Sequence, residues 1–399
     1  MGDKITKSPH IRFAGFIDAW EQRKLEQISD IFDGTHQTPK YTESGIKFVS
    51  VENIATLETM KFISQEAYEK EYFKKQAEKG DILMTRIGDV GTARVIETEE
   101  PLAYYVTLAL LKPKQVSSHF LAWLISSPGV QRNIWKRTLH IAFPKKINLC
   151  EINQVDLMVP SVDEQDKVGA FFKELDRLIT LHQYKLELLK VTKKSMLQKM
   201  FPIDGENVPE IRFSGFTNVW EKHRLGDLGS VAMNRRIFKY ETSETGDVPF
   251  YKIGTFGGEP DAYISRELFE EYKAKYPYPE IGDILISASG SIGRTVIYQG
   301  KDEYFQDSNI VWLKHDDRLD NTFLKQFYSI VKWQGLEGST IKRLYNKNIL
   351  DTEISVPTPA EQKKIGNFFG QLDNIITLHQ SELDLLKDFK KSMLQQMFI

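Results

Sequence analysis

There is one cysteine in 399 residues, Cys150, so the chain can form no internal disulfide and fits a reducing compartment. No apolar run reaches the ~18 residues that a membrane span needs. The opening stretch MGDKITKSPH has no hydrophobic segment behind it that would make a secretory signal, and a cytoplasmic location is expected. There is no excess of either charge: 53 Lys and Arg against 55 Asp and Glu leave a net charge of −2. A polyanionic partner therefore has to be read from local runs, not from the overall balance.

The short motifs of familiar chemistries are missing as well. GSIGRT at 290–295 lacks the Gly-Lys pair and the spacing of a phosphate-binding loop. G-x-S-x-G, H-E-x-x-H and C-x-x-C are absent, as are the N-P-P-F/Y tetrapeptide of amino-methyltransferases and a strand–G-x-G–helix site for their methyl donor. One decoy remains. Pro260-Asp261 followed by Glu271-x-Lys273 fits the PD…(D/E)xK pattern of metal-dependent nucleases, in which two carboxylates converge on a metal from a strand edge. Here Glu271 and Lys273 fall inside a Glu/Lys-rich helical stretch, so the match is read as chance. No catalytic residue and no metal ligand is assigned.

What the sequence has is repetition. PHIRFAGFIDAWE at 9–21 returns as PEIRFSGFTNVWE at 209–221 with 8 of 13 positions identical, and GDILMTRIGDVG at 80–91 answers GDILISASGSIG at 282–293. LDRLITLHQYKLELLKVTKKSMLQKMF at 175–201 and LDNIITLHQSELDLLKDFKKSMLQQMF at 372–398 share 19 of 27 positions. The order is a variable globular region, a long charged segment, and both again, with the breakers Pro202, Gly205 and Pro209 between the halves. GIKFVSV, GDILM, VPFYKI and GDILIS read as strands, while 64–79 and 265–276 read as helical, so each globular region is mixed α and β.

The closing segments predict two long helices. Ser161-x-x-Glu164 and Thr358-x-x-Glu361 are capping boxes, and Pro359 stands at a first helical position. From there apolar positions alternate in steps of four and three through Val168, Phe172, Leu175, Ile179, His182, Leu186, Leu189, Lys193, Met196 and Met200. The second copy repeats them from Ile365 to Met397, with His379 and Lys390 as its polar interruptions. This is a coiled-coil seam over five heptads, and near-identical helices in one chain suggest a pseudo-twofold, antiparallel pair. His182 and His379 would then meet near its centre and fix the register. Phe171, Leu178, Leu181 and Leu188, with Phe368, Ile375, Leu378 and Leu385, lie off the seam and are expected to receive helices of another protein.

Local charge points to phosphate. QRNIWKRTLHIAFPKK at 131–146 holds Arg132, Lys136, Arg137, Lys145 and Lys146 with no acid; the stretch 332–348 holds Lys332, Lys342, Arg343 and Lys347, and later Tyr345, against the single acid Glu337. Lys145-Lys146 and Lys342-Arg343 each stand 15 residues before the proline leading into a helix, Pro160 or Pro357. Candidate base-reading groups lie in loops beside them: Thr35, His36, Gln37, Thr38, Lys40 and Tyr41, then Arg86, in the first half; Asn234, Arg235, Arg236 and Lys239, then Ser287, Ser289, Ser291 and Arg294, in the second.

Taken together these stretches resemble the specificity subunit of a type I restriction–modification system. The resemblance rests on the P-x-I-R-F-x-G-F openings, on DGTHQTPKYTESGIKFVSVENI and GDILISASGSIGR…QDSNIVWLK, and on the closing LDxxITLHQ…KKSMLQ segments, and it covers nearly the whole chain. It implies an α+β fold of two mixed α/β target recognition domains in pseudo-twofold arrangement, joined by two long helices in an antiparallel coiled coil. The expected divisions are 1–21, the opening segment; 22–160, the first recognition domain; 161–201, the central helix; 202–221, linker and second opening; 222–357, the second recognition domain; and 358–399, the C-terminal helix. Each domain would read one half of a bipartite double-stranded DNA target. Two modification subunits would bring S-adenosylmethionine, and two restriction subunits ATP and Mg, so the chain itself would be a non-catalytic specificity subunit without cofactor. The rival readings are a stand-alone metal-dependent nuclease and a coiled-coil adaptor without a DNA role. At one place the halves differ: YYVTLALLK at 104–112 stands opposite QDSNIVWLK at 306–314, so Val106 and Thr107 replace Ser308 and Asn309.

Overall fold

The computed structural model describes residues 8–203, 206–336 and 342–399. Gly205 of the linker, Glu337 of the second basic stretch and the first seven residues lie outside the described residues. The chain forms two compact units, residues 1–184 with 381–399, and residues 185–380.

In the first unit a four-stranded antiparallel sheet has the order Ser29–Asp33, Leu108–Pro113, Ile82–Thr85, Ala93–Val95. A smaller sheet pairs Ile46–Val49 antiparallel to Phe62–Ile63 and parallel to Leu102–Tyr104. Glu21–Lys24 pairs with Asp156–Val159. The second unit repeats every one of these pairings: Gly229–Ala232, Ile310–His315, Ile284–Ser287, Thr295–Ile297 in one sheet; Tyr263–Ile264, Val248–Tyr251, Tyr304–Phe305 in another; and Glu221–Arg224 on Glu353–Val356. The four stretches read as strands are strands.

The G-D-I-L sequence explains the centre of each unit. Successive side chains of a strand face opposite ways. Ile82 and Met84 therefore enter one core with Trp20 and Phe120, while Leu83 enters a second with Tyr72 and Tyr104. Ile284 and Ile286 against Leu285 divide the second unit in the same manner. A strand buried on both faces needs an unbroken apolar run, which these residues supply. Gly80 and Gly282 precede it at φ +94° and +96°, a turn conformation that disfavours a side chain. The helices expected at 64–79 and 265–276 are Gln65–Tyr72 and Arg266–Lys275, each started by a serine, Ser64 or Ser265, whose hydroxyl accepts a backbone N–H at 3.2 Å.

The two long helices span Val162–Met200 and Pro359–Gln396. In the first unit Phe172 stacks on Phe398 and Lys390 Nζ donates to Asp176, while His182 Nδ1 lies 3.4 Å from Glu382. Residue numbers rise on one helix as they fall on the other, so the pair is antiparallel. In the second unit Lys193 Nζ donates to Asp373, the same ion pair in the other copy. The lysines that interrupt the apolar seam therefore have partners across it.

Two features differ from expectation. The seam does not pair helix with helix along its whole length: Val168 and Phe172, like Ile365 and Phe369, pack into the cores of the globular units among the sheet residues. A heptad stripe cannot distinguish a partner helix from a domain core, since both bury the same face. The glutamates of the expected capping boxes also do other work. Glu164 is 1% exposed and receives both ends of the Arg12 guanidinium fork at 2.8 and 2.7 Å; Glu361 receives Arg212 at 2.6 and 2.7 Å. Gln165 and Gln362 beside them each tie the preceding loop, by Nε2 to Pro160 and Pro357 carbonyls at 2.9 Å. This is what the repeated R-F-x-G-F openings and E-Q pairs are for.

Asp373 also accepts from Lys325 at 2.9 Å. Burial raises its pKa, but the hydrogen bonds from Lys193 and Lys325 outweigh that and hold it below the ordinary carboxylate range. Because the folded-state value is depressed, the stabilisation is fully present above the unfolded value near pH ~4 and is lost as pH falls below it. Asp373→Asn should lower stability by roughly 1–2 kcal/mol at neutral pH. Denaturant unfolding of the variant and the natural chain should give curves that stay apart above about pH 4.5 and converge in more acid solution.

Candidate nucleic-acid interface

The loops that follow the buried G-D-I-L strands meet the basic stretches in the same way in both units. Ile87 forms an antiparallel bridge with Lys146, and Ser289 forms one with Arg343. The bonds beside them match: Ile147 N donates to Arg86 O at 2.9 Å, and Leu344 N donates to Ala288 O at 2.8 Å. The glycines in the loops serve this geometry. Gly88 and Gly91 have φ of +88° and +97°, Gly290 and Gly293 +65° and +83°, so each loop turns twice through conformations that glycine adopts without strain.

The structure sorts the loop residues into those that face water and those that do not. In the first unit His36, Gln37, Thr38, Lys40 and Tyr41 are exposed, as are Lys136 and Lys145; Lys146 is half-buried. In the second unit Arg235, Arg236, Lys239, Ser291, Arg294, Lys342, Arg343 and Tyr345 are exposed. Some of the exposed cations are held by neighbours: Arg236 by Asp307 at 2.9 Å, and Arg294 by the Gly257 carbonyl at 3.3 Å, while Arg235 lies over the Tyr276 ring. His36 Nε2 donates to Asp33 Oδ2 at 2.7 Å.

Six candidates are corrected. Arg86 is 7% exposed, with its guanidinium on Asp33 and on the Ile147 carbonyl, so it ties three loops together from beneath and presents no fork to a ligand. Thr35 is buried because its backbone joins the sheet edge at Tyr104 and Tyr105. Asn234, Ser287 and Ser289 are buried too; Ser287 caps its own turn by accepting from Arg294 N, and Ser289 donates to Asn309 at 2.7 Å. Arg137 is held by Asn133 and Glu151 at 3.0 and 3.1 Å. These polar groups lie at the roots of their loops, where backbone needs partners, rather than at the tips.

Among the off-seam residues, Phe171 and Phe368 are also corrected. They pack edge-on against Phe13 and Phe213 of the opening motifs, at 6.0 and 5.8 Å, both at 78°. Leu178 is half-buried, whereas Leu181, Leu188, Ile375, Leu378 and Leu385 are exposed. They are joined by Tyr184, Val191 and Phe389, which the seam pattern did not single out.

The selection of candidates by polarity missed exposed aromatic and aliphatic groups. Phe238 and Tyr240 are exposed and stacked at 5.6 Å and 6° beside Arg235, Arg236 and Lys239. Ile141 and Phe143 are wholly exposed among the lysines of 131–146. The interleaving of aromatics with cations in RRIFKY and in LHIAFPKK was the available signal. The nuclease decoy does not assemble: Asp261 pairs with Lys252 at 2.8 Å, while Glu271 lies on the helix Arg266–Lys275 and pairs with Lys275 at 2.9 Å.

If Arg86 organises the loops, Arg86→Met should leave Asp33 half-buried without its cation. The expected loss is ~1–3 kcal/mol in thermal or denaturant stability. Hydrogen exchange should then rise at 33–37 and 85–92 and stay unchanged in the second unit.

Comparison with known proteins follows the duplicated geometry. The family model for the type I restriction modification DNA specificity domain matches twice, at residues 17–191 and 218–388. A putative type I restriction enzyme specificity subunit of Haemophilus influenzae is 44% identical over 236 residues, 58% of this chain; the match spans 60% of that protein's length. The putative MjaX specificity subunit of Methanocaldococcus jannaschii is 22% identical over 94% of this chain and 92% of its own. The crystal structure of the type I restriction–modification S subunit from M. genitalium shares the fold with a TM-score of 0.66 at 14% identity, covering 98% of this chain and 99% of that one. No helix among the described residues is long and apolar enough to cross a membrane. With both halves matched, this chain belongs to the family of type I restriction–modification DNA specificity subunits.

Proposed function

We propose that the chain reads DNA for a type I restriction–modification complex, each unit taking one half of a bipartite target. The observation that carries this is the duplicated join of a glycine loop to a basic stretch, Ile87 with Lys146 and Ser289 with Arg343. It sets exposed cations beside exposed polar tips twice, on one backbone plan with unlike side chains. Cations at such places neutralise phosphates without reading sequence, and the loop tips discriminate base edges. Helices of 39 and 38 residues are ~58 Å long, more than the ~34 Å of one duplex turn.

In this reading the chain supplies specificity and no catalysis. Adenine methylation with S-adenosylmethionine belongs to modification subunits, and ATP-driven cleavage to restriction subunits. The exposed apolar positions Leu181 and Leu378, and Leu188 and Leu385, related by the repeat, are where helices of the modification subunits dock.

Three experiments test these points. Sequencing of methylated adenines in cells expressing the chain with its modification subunit should yield a two-part motif with a constant gap. Exchange of residues 222–345 for those of another such protein should change one half of that motif; a change in both halves would end the assignment of one half to each unit. Leu181→Asp and Leu188→Asp combined with Leu378→Asp and Leu385→Asp should abolish co-purification of the modification subunit while circular dichroism stays unchanged. Retained co-purification would place docking elsewhere.

A further inference from the structure

The basic stretch of the first unit carries side chains that phosphate binding does not explain. Leu139 N donates to Lys146 O at 2.7 Å and the two residues form an antiparallel bridge, so the chain leaves the body at Leu139 and returns at Lys146. Residues 140–145 make a closed loop between them. At its tip Ile141 is 99% exposed and Phe143 103%. The stem is held firmly. His140 Nε2 donates to the Trp135 carbonyl at 2.9 Å, and the Lys145 ammonium sits 4.5 Å from the Trp135 ring centre. Gly88 N donates to Lys145 O at 2.8 Å, fastening the returning arm to the glycine loop.

Two large apolar side chains left wholly in water on a braced loop mark a surface completed by a partner. Arg132, Lys136 and Lys145 of the same stretch are also exposed, and residues 131–146 contain no acid. The complementary partner is anionic on its rim and flat and apolar within, which describes the base stack of a duplex between its phosphates. We propose that Ile141 and Phe143 are a wedge that enters between adjacent base pairs, while Lys136 and Lys145 hold the flanking phosphates. The inference rests on the first unit reading DNA. It adds a specificity element that makes no hydrogen bond to a base: the step that opens most easily, a pyrimidine–purine step, is favoured because it is deformed at least cost. The tip sequence H-I-A-F-P has no counterpart in the second unit's basic stretch, 332–348, so the wedge belongs to one half-site.

The test uses the full chain assembled with its modification subunit, and duplexes carrying the motif mapped by methylation sequencing, with 2-aminopurine placed at each position of the half-site in turn. Away from the methylated adenine, which the modification subunit must flip out of the stack to reach, fluorescence should rise at one step on binding. Ile141→Ala with Phe143→Ala should remove the rise and weaken binding about tenfold with the salt dependence unchanged. Lys136→Ala with Lys145→Ala should lower the salt slope by ~1 per contact and keep the rise at saturation. Salt-sensitive binding with no such rise at any step, or one that survives in the double alanine variant, overturns the wedge and leaves DNA reading intact. Loss of the modification subunit from the double alanine variant would also overturn it, making the loop a protein contact. Absence of any duplex binding by the unaltered complex would remove the DNA reading, and the wedge with it.

Discussion

A lysine on one long helix and an aspartate on the other, Lys390 with Asp176 in the first unit and Lys193 with Asp373 in the second, set the frame for everything else. Apolar seams tolerate sliding by a heptad, because one leucine fills a hole much as another does. A half-buried charge does not, since misplacement leaves it dehydrated and unpaired. One register therefore dominates. In that register the final residues of each helix reach a globular core: Phe398 packs with Trp20 and Phe120, and Phe201 with Trp220 and Phe323. The M-F that ends each repeat thus supplies a core residue, Phe398 after the helix Pro359–Gln396 to the first unit and Phe201 after the helix Val162–Met200 to the second.

The start of each helix is fixed by a different interaction. Arg12 and Arg212 form bidentate pairs with Glu164 and Glu361, which are essentially inaccessible to water, and the neighbouring Phe13 and Phe213 close over Phe171 and Phe368. Burial of these carboxylates would be prohibitive without the guanidinium fork. The opening motif, the helix start and the helix end are one connected assembly in each unit, and the sheets that bear the loops are built on it.

Much of this plan was legible in the sequence, because a repeat doubles every signal. The long helices, the strands and the placing of glycine loops beside basic stretches all followed from patterns seen twice. What was not legible depended on partners distant along the chain. Nothing in the sequence marks Asp176 and Asp373 as partners of the lysines opposite them. Arg86, Ser287 and Ser289 read as ligand groups because glycine-rich loops look like surface, yet a sharp turn on a sheet edge leaves backbone groups that need polar side chains beneath them. Ile141 and Phe143 were passed over for the opposite reason, as apolar residues are expected to find a core.

The division between repeated and unrepeated residues has a physical meaning. Groups that hold the frame recur at matching positions: Arg12 and Arg212, Glu164 and Glu361, Gln165 and Gln362, Trp20 and Trp220, and the Lys–Asp pairs. Groups at the loop tips do not: His36, Gln37 and Thr38 have no likeness in Arg235 and Arg236. The energy that defines the fold is thus concentrated in side chains that face away from the loop tips. Substitutions at the tips disturb few buried contacts, and a change there alters what the loops can recognise while the frame that presents them keeps its stability.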